Sequence, residues 1–261
     1  MEHEIWFTAL LNKLLAGVVT PALAAIGVPP ADRAHPISNY TAMEILVFLL
    51  IVVGALILRS ELSVENPGKF QHVMEVTVEF LRNLADEVIG HGADRYVPLL
   101  GTLGIFIVVS NVLGLIPTLE SPTGYIQVTL GCAVSAFIYY NYQGVRHLGV
   151  LGYLKTLWGP IWWVGFLLFP VEIVSNLFRM LSLSVRLFAN MMVGKLLEQV
   201  FAALAAEMGS GNLVVRLLGG VVAFTAPAAM MGLHVFVSIV QAYIFVLLPA
   251  VYISLATSEE H

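Results

Sequence analysis

Between Glu172 and Asn190 the sequence sets six polar side chains into a run that is otherwise apolar. Glu172, Ser175, Arg179, Ser182, Arg186 and Asn190 follow one another at steps of three and four, so a helix carries all six on one face. Arginine keeps its proton at every accessible pH and cannot escape burial by neutralising itself. Even on the most lenient insertion scale a central membrane arginine costs about 2.5–3.5 kcal/mol, so function with a partner is its default reading. No acid in this chain is an obvious mate at its depth, because Glu172 lies about four helical turns away. The chemistry expected of Arg186 is therefore to meet a carboxylate brought by another protein. Downstream, His234, Ser238 and Gln241 repeat the pattern at steps of four and three. Inside a membrane such stripes face protein or water and not lipid, and two of them facing each other would wall a hydrated path.

Lys195 stands apart. At about 100° per residue its separation from Arg186 carries it to the far side of the helix, where Glu198 and Gln199 can pair with it. Other features have plainer readings. Membrane serines such as Ser175, Ser182, Ser184 and Ser238 often bond back to their own backbone. Arg179 either belongs to the stripe or snorkels to the cytoplasmic headgroups. His234 either titrates or donates across a helix contact. Met191, Met192, Met230 and Met231 read as packing. The single cysteine, Cys132, excludes an intrachain disulfide and reads as a packed small residue.

The elements that must position these residues follow from composition. Of 261 residues 59% are hydrophobic and 11% charged, with mean hydropathy +0.89, against about 25% charged in soluble domains. An integral membrane protein follows. A net charge of −5 offers no basic surface for nucleic acid. No GxxxxGK[ST] phosphate loop occurs, and no histidine-rich or paired-aspartate constellation suggests a metal or another cofactor.

The fold class expected is all-α: upright transmembrane helices plus a long, strongly tilted helical hairpin. Residues 40–59 form a first span, closed by Arg59 and Glu61; spans at about 97–118 and 126–144 are joined by the LESPTG turn. Residues 63–92 read as an amphipathic helix on one membrane surface. Two nearly continuous apolar runs, 161–206 and 213–256, are separated by the polar EMGSGN stretch. Each would extend about 65 Å against a hydrocarbon core of about 30 Å, so each must tilt strongly or break at Pro170, Pro227 and Pro249. Residues 1–39 form an external segment, either an amphipathic helix on the bilayer or a weakly ordered terminus; residues 40–261 form one membrane domain. Arg59, Lys69, Arg82, Arg95, Arg146 and Lys155 fall on one side, which places the amino terminus and LESPTG outside and the carboxyl terminus in the cytoplasm.

SLSVRLFANMMVG, followed by GLHVFVSIVQAYIFVLLPAVYIS, resembles subunit a of the F-type ATP synthases, the stator channel beside the rotating ring of c subunits. SNVLGLIP and FPVEIVSN extend the resemblance from the first span to the carboxyl end. It implies a non-catalytic proton-channel subunit whose Arg186 faces the c-ring carboxylates, with Asn190 and Gln241 beside it. His234, with Glu198, falls in a half-channel open to the outside; Glu172 and Ser175 fall in one open to the cytoplasm; Asn111 is a polar residue on the neighbouring span. It further implies c-ring, peripheral-stalk b and other synthase subunits as partners, within the lipid bilayer. The chain departs at Lys195, where relatives carry an acid or a histidine, and at Gly114, where some carry an acid that Glu120 can replace from the turn. A bacterial inner membrane fits the acidic start without an Arg-rich transit segment. Two other classes find less support: a secondary transporter predicts matched repeats with interrupted helices, and an intramembrane enzyme needs a catalytic constellation that the chain lacks.

Overall fold

The computed structural model describes residues 5–25, 35–90, 92–116, 118–158, 162–208 and 213–257. Seven α-helices carry almost all of them: α1 (Trp6–Ala25), α2 (Asn39–Glu61), α3 (Lys69–Ile89), α4 (Val97–Leu113), α5 (Ile126–Trp158), α6 (Trp162–Met208) and α7 (Leu213–Thr257). Single 3₁₀ turns precede α4 and α5, and no strand occurs among the described residues. The protein is an all-α membrane protein. Residues 26–34 of the expected external segment, and residues 209–212 of the EMGSGN separator, lie outside the described residues, as does the side chain of Pro227.

Asn39–Glu61, Gly165–Met208 and Ala228–Thr257 are long and apolar enough to cross a membrane, and Val97–Leu113 is a shorter apolar helix. The second span thus ends earlier than residue 118. Beyond Leu113 the backbone tightens, with Leu115 N–H bonded to Val112 O and Ile116 N–H to Leu113 O. The third expected span lies in α5, whose inner half carries Tyr139, Tyr140, Asn141, Tyr142 and Gln143 and falls short in apolarity. Two of those groups find hydrogen-bond partners inside the protein. Tyr140 is buried and donates to Asn176 Oδ1 at 3.4 Å, and Asn141 Oδ1 accepts from the Tyr153 hydroxyl at 2.7 Å. Tyr153 comes within reach because Gly149, at φ 74°, breaks α5 in the left-handed region that favours glycine. Burial pushes the Tyr153 phenol upward, and the nearby Glu172 charge adds to this, which keeps it a donor.

Helix α3, expected on the membrane surface, is shorter than expected and is capped by Gly90 (φ 86°), whose N–H bonds Asp86 O. Its apolar residues divide. Leu81, Leu84 and Ala85 are buried, whereas Phe70, Val73, Val76 and Phe80 remain exposed.

α6 and α7 run 47 and 45 residues as single helices, with Pro170 inside α6. At 1.5 Å per residue each extends about 70 Å, more than twice the hydrocarbon thickness, so neither fits as an upright span. The core forms where α4 and α7 pack antiparallel. Leu100 shares a cluster with Val246, Ala250 and Ile253. One and two turns on, Leu103 and Ile107 share a second cluster with Ala242 and Phe245, joined by Leu183 and Leu187 of α6. Gly104 permits the approach, since a Cβ there would lie 2.8 Å from Val246 Cγ2.

Candidate functional site

The buried face of α6 is formed by Leu183, Ser184, Leu187 and Met191. The polar stripe lies to the side of it. Ser182 and Arg186 are exposed, and Glu172, Ser175, Arg179 and Asn190 are half-buried. Among the described residues Arg186 makes neither an ion pair nor a hydrogen bond. The stripe on α7 has different surroundings, with Ser238 and Gln241 buried and His234 half-buried. Ser182 Oγ donates to Arg179 O at 3.0 Å, the backbone bond expected of it. Ser184 and Thr129 instead join their hydroxyls at 3.1 Å across α6 and α5.

Arg179 is held within the protein. It lies 3.6 Å from Glu172 Oε1, donates to Asn176 Oδ1 at 3.4 Å and sits over the Tyr252 ring at 5.5 Å. Ion pair, amide and aromatic face thus all engage its guanidinium. Asn176 went unnoticed in the sequence, although its position four residues after Glu172 and three before Arg179 was the available signal.

Toward the other end of the hairpin a cavity of about 760 Å³ is lined by Glu120, Asn190, Lys195, Glu198, Gln199 and His234, among others. The residues expected on the outer path are thus brought together. The ion pair that Lys195 makes is with Glu120 of the α4–α5 loop, at 3.9 Å, and not with Glu198 on its own helix. Its ammonium also lies 5.6 Å from the centre of the Tyr125 ring, and Tyr125 donates its hydroxyl proton to Glu120 Oε2. His234 Nε2 is 3.1 Å from Met191 Sδ. A Cβ on Gly194 would fall 2.7 Å from His234 Cε1, so glycine here lets the ring lie directly against the α6 backbone.

Asn111 is fully buried on α4. Thr123 donates to its Oδ1 at 2.6 Å, the Ser121 and Thr123 hydroxyls are 2.6 Å apart, and Ser121 donates to Ser110 O at 2.9 Å. Gly114 lets this loop tuck in, because a Cβ there would meet Ser121 Cβ at 2.6 Å. An acid at position 114 is thereby excluded, and Glu120 is the carboxylate nearest in sequence. Ser110 Oγ, Asn111 Nδ2, Ser238 Oγ and Gln241 Nε2 are all buried with no hydrogen-bond partner among the described residues. Ser238 is therefore not satisfied by its own backbone. No group of three or more metal-ligating side chains occurs among the described residues.

Residues 41–254 match the family model described as the ATP synthase A chain. The chain is 43% identical over all 261 residues to ATP synthase subunit a of Koribacter versatilis, covering the whole of both proteins. It is 40% identical over 252 residues to that of Solibacter usitatus, covering 97% of this chain and all of the relative. To the Geobacter sulfurreducens protein of the same name it is 38% identical across both full lengths. With a family match over most of its length and relatives of equal extent, the chain belongs to the ATP synthase A chain family.

Proposed function

We propose that this chain is the proton-translocating stator subunit of an F-type ATP synthase membrane sector, with two offset half-channels separated by Arg186. The observation that carries this reading is an exposed guanidinium on an apolar membrane helix, without a counter-ion among the described residues. A ring of c subunits passing that face would supply the missing carboxylate. An opposite charge nearby favours the ionised acid, strongly so in a poorly hydrated site, so each rotor acid releases its proton near Arg186 and takes up another beyond it.

The outer half-channel is the cavity lined by Glu120, Lys195, Glu198, His234 and Asn190, and Asn111 and Gln241 continue its polar lining inward. Glu172 and Ser175 lie on the cytoplasmic half. The fixed charge of Arg186 between the halves blocks a proton from hopping straight through. The driving term is about 2.3 kcal/mol per charge per 100 mV, plus the concentration gradient. The chain itself performs no phosphate chemistry. It works as one domain from residue 40 onward, with residues 1–39 outside, in a bacterial inner membrane beside b and other synthase subunits. The carboxyl terminus is cytoplasmic.

Arg186→Ala is expected to abolish ATP-driven acidification of inverted vesicles while the complex still assembles. Normal pumping by that variant would refute the role.

A further inference from the structure

Four buried polar atoms without a hydrogen-bond partner among the described residues lie on two neighbouring helices. The antiparallel packing that puts Gly104 against Val246, with Ile107 sharing a cluster with Ala242 and Phe245, carries Ser110 and Asn111, about one turn beyond Ile107, toward the level of Ser238 and Gln241. All four residues are at least nine-tenths buried. Each offers at least one donor, and buried polar atoms in native proteins are paired, with bridging water where no side chain reaches. In a bundle at membrane depth a misdirected amide is costly, so the orientation of Asn111 matters more than its mere presence.

The loop between α4 and α5 supplies that orientation. Ser121 and Thr123 are themselves buried; Ser121 gives its proton to the Ser110 carbonyl at 2.9 Å and Thr123 gives its own to Asn111 Oδ1 at 2.6 Å, so the 2.6 Å approach of the two hydroxyl oxygens is a packing contact with no proton left to bridge it. With Oδ1 held by Thr123, the amide Nδ2 is left for the α7 side. Any loop that merely covered the bundle end would do so with apolar groups, which need no partners. We infer that Thr123, supported by Ser121, is a positioning residue that fixes the Asn111 amide so that its N–H groups face the Ser238 hydroxyl oxygen, or a bridging water that also accepts from Gln241 Nε2, on the outer proton path. This rests on the stator reading above.

The test uses the assembled membrane sector, stripped of its nucleotide-binding sector and held in vesicles under a potassium diffusion potential, with proton influx read by a pH dye. Thr123→Val keeps the volume and removes the hydroxyl; it is expected to lower influx about fivefold at equal subunit content, as the loss of one ordering hydrogen bond allows. Thr123→Ser is expected to retain normal influx. In an Asn111→Leu background, adding Thr123→Val should change nothing further, because Thr123 acts only through that amide. Should Thr123→Val fail to accumulate, Thr123→Ala carries the same expectation. Normal influx with Thr123→Val, normal influx with Asn111→Leu alone, or a further loss in the double variant would each overturn the inference. None of those results touches the stator reading, which fails instead if the whole complex carrying Arg186→Ala pumps normally.

Discussion

Lys195 Nζ lies 3.9 Å from Glu120 Oε2, tying the middle of α6 to the loop between α4 and α5. Both side chains are about one-third exposed, at 36% and 37%. A pair this wet contributes no more than about 1 kcal/mol, so its importance lies in where it puts charge. It neutralises one carboxylate of the cavity and leaves Glu198, which lines the same cavity, without that cation.

Lys195→Gln is accordingly expected to change stability by less than about 1 kcal/mol, read as thermal dissociation of the purified membrane sector. Passive proton influx should change more than stability does, since Glu120 then stands uncompensated in the cavity. A large drop in the dissociation temperature would instead mark the pair as structural.

Arg186→Lys is expected to restore only a small part of coupled pumping. Lysine keeps the charge but loses the planar fork, and it can shed its proton where arginine cannot. ATP-driven acidification at matched complex content decides this, and full restoration would show that any cation suffices.

His234→Ala is expected to slow passive proton conduction while assembly stays intact. Unchanged conduction would demote the imidazole to a packing partner of Met191.

Gly194→Ala tests the same crossing by steric means. The added Cβ would lie 2.7 Å from the His234 ring, and overpacking of this kind costs about 1–3 kcal/mol. Combining it with His234→Ala should recover stability, because the clashing ring is gone. If the double variant remains as unstable as Gly194→Ala alone, the ring is not what Gly194 accommodates.

Asn176→Leu removes the acceptor shared by Tyr140 and Arg179. The expected cost is about 1–3 kcal/mol from donors left unsatisfied, measurable as reduced thermal stability. No loss would place Asn176 outside the network that orients Arg179.

Much of the architecture was legible in the sequence because membrane spans announce themselves by length and apolarity. The first span, the start of α4 and the long apolar pair all follow from that rule. The steps from Glu172 to Asn190 likewise gave the stripe, since three- and four-residue spacing fixes a helical face. Long-range choices were not legible. Nothing in KLLEQ says that Lys195 prefers a turn some seventy positions earlier over Glu198, because i,i+3 proximity is visible in sequence and tertiary proximity is not. The break at Gly149 was hidden by helix-compatible neighbours. The true end of α4 was masked by apolar residues that continue past Gly114, where the backbone tightens and Ser121 packs against the glycine.

The shortness of α4 bears on how deep outside water can reach. Its 17 residues extend about 25 Å, roughly 5 Å less than the hydrocarbon is thick. Thinning of the lipid around a helix that stops short is one way the mismatch is met. Under the proposed topology, with the Leu113 end outside, the external fluid would then start below the ordinary surface of the sheet beside this helix, and an ion arriving there would have crossed part of the insulating layer before it met any side chain.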